Sequence, residues 1–218
     1  MNSPLIQLLV LAGIAIFLIL RLKNVLGTRE GFEKPKAPKP VDRRSRPDLE
    51  VIEGGPDRDI TDHVAEDSPA AQALTEMKRI EPAFSVSEFV QGARGAYEMI
   101  LMGYELGNLD EIQPFLAEDV FDTFVSGVAA REDQGFKIEA EFIGVRETAI
   151  TDVHFDKDTN FAEITMRFVG ELTSVVRDRG GDIVEGSPTE IKRQKDSWTF
   201  GREMGAADPN WRLVATDG

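Results

Sequence analysis

Near Gly135 the hydrophobic period of this 218-residue chain changes. Before that point apolar side chains recur at three- and four-residue steps. Phe89, Ala93, Ala96, Tyr97, Ile100, Leu101 and Tyr104 form one stripe, and Val120, Phe121, Phe124, Val125 and Val128 form another. After it they alternate: Ile138, Ala140 and Phe142 are interleaved with Lys137, Glu139 and Glu141, and Ala162, Ile164, Met166 and Phe168 with Glu163, Thr165 and Arg167. The first pattern is that of amphipathic helices, the second that of half-buried strands. Helices that come first and hairpin-linked strands that come later share one core by packing the helices on one face of an antiparallel sheet. The expected class is therefore α+β.

Local signals divide these regions into elements. Ser68-Pro69 opens a helix over "SPAAQALTEMKRI", with serine as N-cap and proline at the first helical position. A second helix starts at Ser85 or Ser87 and stops at Gly107. Asn108 with Glu111 has the spacing of a capping box for "NLDEIQPFL", and Glu118 to Gln134 forms a last helix ended by Gly135. "DKDTN" (156–160) and "DRGG" (178–181) are turns. Further strands are expected near 189–202 and 211–216, with a bulge or edge around Lys192 to Lys195, where alternation weakens. Gly92 and Gly95 fall inside the second helix, and close packing on the sheet is the expected reason for them.

Both tryptophans, Trp198 and Trp211, flank the turn residues Asp208-Pro209-Asn210. A turn centred on 205–208 places Arg202 opposite Trp211, Phe200 opposite Leu213 and Trp198 opposite Ala215. That register stacks the Arg202 guanidinium on the Trp211 ring.

The N-terminal part follows another logic. Asn2 to Leu20 carries no charge. As a helix it spans about 28 Å, close to the hydrocarbon thickness of a bilayer. Leu5, Ile6, Leu8, Leu9, Val10, Leu11, Ile14, Ile16, Phe17, Leu18, Ile19 and Leu20 are its expected lipid-facing residues. Basic residues follow this stretch instead of preceding it, which favours an uncleaved anchor over a secretory signal. Arg21, Lys23 and Arg29 keep the C-terminal side cytoplasmic and leave the N-terminus periplasmic. Residues 1–46 hold nine basic and three acidic side chains, a net +6 that leaves −20 of the total −14 to the rest. The expected division is an anchor at 1–22, a disordered tether at 23–67, basic and then acidic, and a folded domain at 68–218. Lys34, Lys36, Lys39, Arg43, Arg44 and Arg46 are candidates for an anionic lipid surface.

Composition narrows the chemistry. Without cysteine there is no thiolate nucleophile and no cysteine metal site. The acidic balance disfavours nucleic acid. Only His63 and His154 remain for acid–base work. Asp152 and His154 share a strand face at i and i+2, with no nucleophile beside them. No ligand spacing suggests a metal, and no glycine loop sits at a strand-to-helix turn to take a nucleotide. No cofactor and no enzymatic activity are expected. Nothing in the pattern sets an oligomeric state.

"DSWTFGRE" followed by "DPNWRLVAT" resembles the C-terminal signature of the Tim44-like domain family. "FVQGARGAYEMILMGYELGNLDEIQPFLAEDVFDTF" resembles its helical half, and "REDQGFKIEAEFIGV" its passage from helix to strand. The stretch "IQLLVLAGIAIFLILRLKNVLGTREGFE" resembles the start of bacterial membrane-anchored members. Gly107-Asn108 stands where the family often has Gly-Asp. The resemblance implies a cone-shaped fold like that of nuclear transport factor two, with helices over a curved antiparallel sheet. It also implies a non-enzymatic adaptor at a bacterial inner membrane, with protein or lipid partners. The mitochondrial relative tethers a DnaK-type chaperone at a translocation channel. That relative's long helical N-terminal region has no counterpart here, so chaperone tethering is not carried over to particular residues. The alternative is a small-ligand-binding or enzymatic module with an apolar pocket in the cone. Phe142, Phe168, Trp198, Phe200 and Trp211 are its pocket-lining candidates.

Overall fold

The computed structural model describes residues 55–217. The candidate anchor, the basic residues Lys34 to Arg46 and most of the candidate tether lie outside them. Among the described residues five helices precede four strands: α1 Arg58–Thr61, α2 Pro69–Ile80, α3 Val86–Leu106, α4 Leu109–Ile112 and α5 Glu118–Asp133, then β1 Lys137–Phe155, β2 Phe161–Arg177, β3 Ile183–Glu203 and β4 Arg212–Asp217. A short 3-10 turn, Gln113–Phe115, follows α4. The helix-then-strand division read from the hydrophobic period is the division observed.

Most helix ends follow their capping residues. The Ser68 hydroxyl accepts the Ala71 N–H, with Pro69 at the first position, and Ser85 accepts from Glu88. Gly107 closes α3 at φ 77°, a left-handed conformation that glycine adopts without a Cβ penalty. The capping box at Asn108 is not formed, because its side chain makes no cap hydrogen bond. The main chain has already satisfied this junction: the Asn108 N–H bonds Gly103 O at 2.8 Å.

The sheet is an antiparallel meander in the order β1-β2-β3-β4. It is neither closed nor strongly curled, which overturns the expected cone-shaped architecture. The reason lies in the strand lengths. β4 has six residues and pairs with β3 only between Ser197 and Gly201. Among the described residues no strand returns to β1, so β1 and β4 remain opposite edges and helices cover the core instead. Edge strand β1 carries three register shifts along its 19 residues. Such bulges twist an edge away from further pairing. β3 is irregular where β2 passes from Leu172 to Ser174: their partners are Lys192 and Ser187, so residues 188–191 of β3 stand opposite Thr173 alone.

The core lies between α3 and the sheet. Ala162, Ile164, Met166 and Phe168 of β2 have no exposed surface, nor do Tyr97 and Ile100 of α3. Tyr97 stacks on Phe168 with ring centroids 4.4 Å apart and planes 12° apart. Its hydroxyl donates to Asp196 Oδ2 at 2.5 Å, and Gln194 Nε2 donates to the other carboxylate oxygen at 3.1 Å. Burial, followed by the hydrogen bond and charge of Asp196, pushes the Tyr97 phenol well above its usual range. The pair is a neutral donor matched to a buried anion, and such groups are retained in cores only when satisfied.

Residues just before α2, read from sequence as tether, form part of this packing. Asp59 of α1 accepts from Val86 N at 2.7 Å, Ser87 N at 2.9 Å and Ser85 Oγ at 3.2 Å, while Lys78 Nζ lies 2.8 Å away. A carboxylate at a helix start meets unpaired N–H groups and the positive end of the helix dipole. His63 Nε2 adds a 3.0 Å bond to Ser87 Oγ. Burial alone would raise the Asp59 carboxyl, but Lys78 and the Ser87 and Val86 donors hold it well below the ordinary range. Folded Asp59 therefore binds its proton more weakly than the unfolded chain does. Its stabilisation is complete above the ordinary Asp range and is lost as pH falls toward the depressed folded value. Chemical denaturation from pH 6 to 2 is expected to show this loss, and Asp59→Asn should flatten the acid limb. Parallel acid limbs for the two proteins would contradict it.

Candidate functional site: an apolar groove along α3

α3 has two useful faces. Its inner stripe, Phe89, Ala93, Tyr97, Ile100 and Leu101, is buried. A second stripe, Ser85, Glu88, Gly92, Gly95 and Met99, also runs at three- and four-residue steps, and Glu88, Gly92, Gly95 and Met99 are exposed. This stripe floors a groove of about 490 Å³. Phe84, Phe89, Phe115, Phe200 and Trp211 form its apolar walls, and the Pro209-Asn210 turn borders it. The Trp211 ring lies 4.7 Å from Phe89 and 5.9 Å from Phe84, so the C-terminal hairpin is pinned to the start of α3 by aromatic contacts.

Arg202 anchors that hairpin. It is only 6% exposed. Nη2 donates to Glu81 Oε2 at 2.7 Å, Nη1 to Pro209 O at 3.3 Å, and the guanidinium stacks 5.2 Å from the Trp211 ring centre. Gly205 N–H donates to the same Glu81 oxygen at 3.0 Å. Burial works to raise Glu81, but Arg202 and Gly205 outweigh it and hold the carboxyl below the usual range. Arg202 Nε, by contrast, has no hydrogen-bond partner among the described residues. The Arg202–Trp211 stacking and the Phe200–Leu213 pairing are those expected from the sequence. The pairing of Trp198 with Ala215 is not: Trp198 faces Thr216, because the register slips between Thr199 and Phe200. Val214 is the extra residue. It leans over Gly201, where a Cβ would sit 2.8 Å from Val214 Cγ1.

The five pocket-lining candidates separate. Phe200 and Trp211 line the groove, whereas Phe168 and Trp198 are core residues at 0% and 5% exposure. Phe142 lies on the other side of α3, beside Gly144 and Arg94. Asp152 and His154 both point to solvent on β1. Among the described residues, no three His, Asp or Glu side chains gather in a metal-binding arrangement, and no helix is long and apolar enough to cross a membrane.

Gly92 and Gly95 correct an expectation made from sequence. They do not serve close packing on the sheet, because a Cβ built at either position meets no atom within 4 Å. Glycine in a helix interior costs about 1 kcal/mol relative to alanine, and nothing in the described fold offsets that cost. The sequence shows both glycines, but not which side of the helix they face relative to the core.

These features define an α+β architecture, helices on one face of an open antiparallel meander, with an apolar groove between α3 and the last hairpin. The Tim44-like domain model matches residues 70–218, and the chain belongs to that family. It is 20% identical over 162 residues to the mitochondrial import inner membrane translocase subunit TIM44-1 of Arabidopsis thaliana, covering 72% of this chain and 34% of that protein. It is 23% identical over 147 residues to the human subunit TIM44, covering 66% and 32%. This chain thus spans about a third of the length of the curated relatives it matches. Among solved structures, the intermembrane space region of the chloroplast protein ARC6 aligns with a TM-score of 0.40 at 9% identity, covering 59% of this chain and 94% of that one.

Proposed function

We propose that this protein is a non-enzymatic adaptor that holds a binding domain at a membrane and receives a protein partner in the groove along α3. The observation that carries the reading is the groove itself: an open apolar trough of about 490 Å³ with aromatic walls and no converging acid, base and nucleophile. Grooves of this kind serve recognition, and they draw affinity from aromatic anchors. Membership in the Tim44-like family, whose named relatives are import translocase subunits, supports a role beside a protein-translocation or membrane-biogenesis machinery. The uncharged segment from Asn2 to Leu20 supports an inner-membrane anchor, with the domain on the cytoplasmic side. The basic run from Lys34 to Arg46 supports contact with anionic lipid near that anchor. Against the enzymatic form of the alternative small-ligand-binding or enzymatic module, Asp152 and His154 are exposed on β1 and neither lines the groove.

Photo-crosslinking in intact cells tests the adaptor reading. A crosslinker at Met99, on the groove floor, is expected to give discrete adducts with a membrane or translocation component. The same probe at His154 should give none. Equal adduct patterns at the two positions, or only lipid adducts at Met99, would overturn the reading.

A further inference from the structure

Residues 57–64 hold the start of α3 from outside that helix. Among residues 55–67 only Ile60 is buried, and Val64 packs partly against the core. α1 has four residues, well short of the roughly 12–15 below which isolated helices are marginal in water. The segment is therefore held by what it touches. Ile60 enters the core, Asp57 and Asp59 both pair with Lys78 of α2, and His63 bonds Ser87. Asp59 gives α3 more than a charge. Val86 and Ser87 occupy its first two positions, where no carbonyl of the helix reaches their N–H groups. Asp59 accepts from both, and also from the Ser85 hydroxyl that caps the Glu88 N–H. Val86 has no exposed surface, so its N–H meets no water while the turn stays packed. A buried donor that loses its acceptor carries its full desolvation cost. Loss of Asp59 therefore opens the first turn of α3 to solvent. That turn carries one end of the groove: Phe84 and Ser85 line it, and Phe84 leans on Phe89 and Trp211. Glu81, just upstream, is fixed separately by Arg202 and Gly205. The connection from α2 to α3 is clamped at two points, and one of the clamps belongs to the chain upstream of α2.

We infer that residues 57–64 are a detachable strap, docked by Ile60 and Asp59 together, whose release frees the first turn of α3 and the Phe84 end of the groove while the sheet stays folded. Segments with few buried apolar contacts and mostly exposed residues are the ones that open first. A pull on the chain upstream of residue 55 reaches the domain through this strap, so the strap lets that chain change the end of the groove. It acts within the fold, whatever the groove binds.

The chain has no cysteine, so one introduced buried thiol reports opening by its rate of labelling. Ile60→Cys reads the strap, Val86→Cys the first turn of α3 and Ala162→Cys the sheet, at positions 3%, 0% and 0% exposed. The full chain in detergent is labelled with a thiol reagent over a range of urea, and each rate is referred to that of the same protein unfolded. Ile60→Cys and Val86→Cys are expected to share one protection factor, about tenfold or more below that of Ala162→Cys, a gap of about 1.4 kcal/mol or more. Their labelling should depend weakly on urea and that of Ala162→Cys steeply, because strap release exposes little surface. Ile60→Ala should speed labelling of Val86→Cys by about tenfold. Gly170→Ala, which strains the core beside Tyr97, should speed Ala162→Cys and leave Val86→Cys unchanged. Equal protection and equal urea slopes at all three thiols would make the strap part of one global unit and overturn the inference. So would Val86→Cys as protected as Ala162→Cys while Ile60→Cys labels fast, or labelling of Val86→Cys that ignores Ile60→Ala. Should either double variant fail to fold, the urea slopes of the three single-thiol proteins decide alone.

Discussion

Arg202→Ala is expected to lower the unfolding free energy by about 2–4 kcal/mol, measured by urea denaturation with Trp fluorescence. Breaking a buried ion pair typically costs about 3–5 kcal/mol, because the remaining charge keeps its burial penalty without its partner. Glu81 is partly solvated, with 26% of its side chain accessible, so water compensates in part and the expected loss is shifted about 1 kcal/mol below that range. The loss is broader than one pair. Arg202 also holds the Pro209 carbonyl and stacks on Trp211, so the turn that borders the groove loosens with it. Arg202→Lys is expected to recover only a fraction, since an ammonium cannot reproduce the planar fork or the stacking. A loss below 1 kcal/mol, or full rescue by lysine, would show that the hairpin is held by its aromatic contacts alone.

The second large effect is at the Tyr97–Asp196 pair. Tyr97→Phe should cost about 1–3 kcal/mol, the desolvation cost of leaving Asp196 with one donor fewer inside the core. Gly170→Ala should cost a similar amount by overpacking, because its Cβ would lie 2.7 Å from the Tyr97 hydroxyl oxygen and 3.0 Å from the ring. The two substitutions act on the same space. Their combined cost should therefore be less than additive, as the alanine methyl enters the room vacated by the hydroxyl. Strict additivity in the double-mutant cycle would separate the sites and refute that account.

Much of this domain was legible in one dimension. The switch of period at Gly135 divided helices from strands, and serine, proline and glycine marked most helix ends, because capping is chemistry between near neighbours. The Arg202–Trp211 and Phe200–Leu213 pairings of the last hairpin were legible too, since a short turn leaves few registers. The Val214 bulge was not, because it depends on Phe161 and Gly201 from two other strands. The Glu111 half of the capping box was not needed for a related reason, since the Asn108 N–H already donates to Gly103 O.

The sequence by itself determined the class of fold, the family signature carried by its two tryptophans, and the charge division between its first 46 residues and the rest. These depend on local periodicity and composition. The tertiary structure decided that the sheet stays open, that Asp59 closes the start of α3, and that Phe168 and Trp198 fill a core while Trp211 walls a groove. It also decided that Gly92 and Gly95 meet no neighbour among the described residues. Each of these depends on which face of an element meets another element far away in the chain. A period of 3.6 shows that a helix has sides, but only packing assigns one side to the core and leaves the other open to a partner.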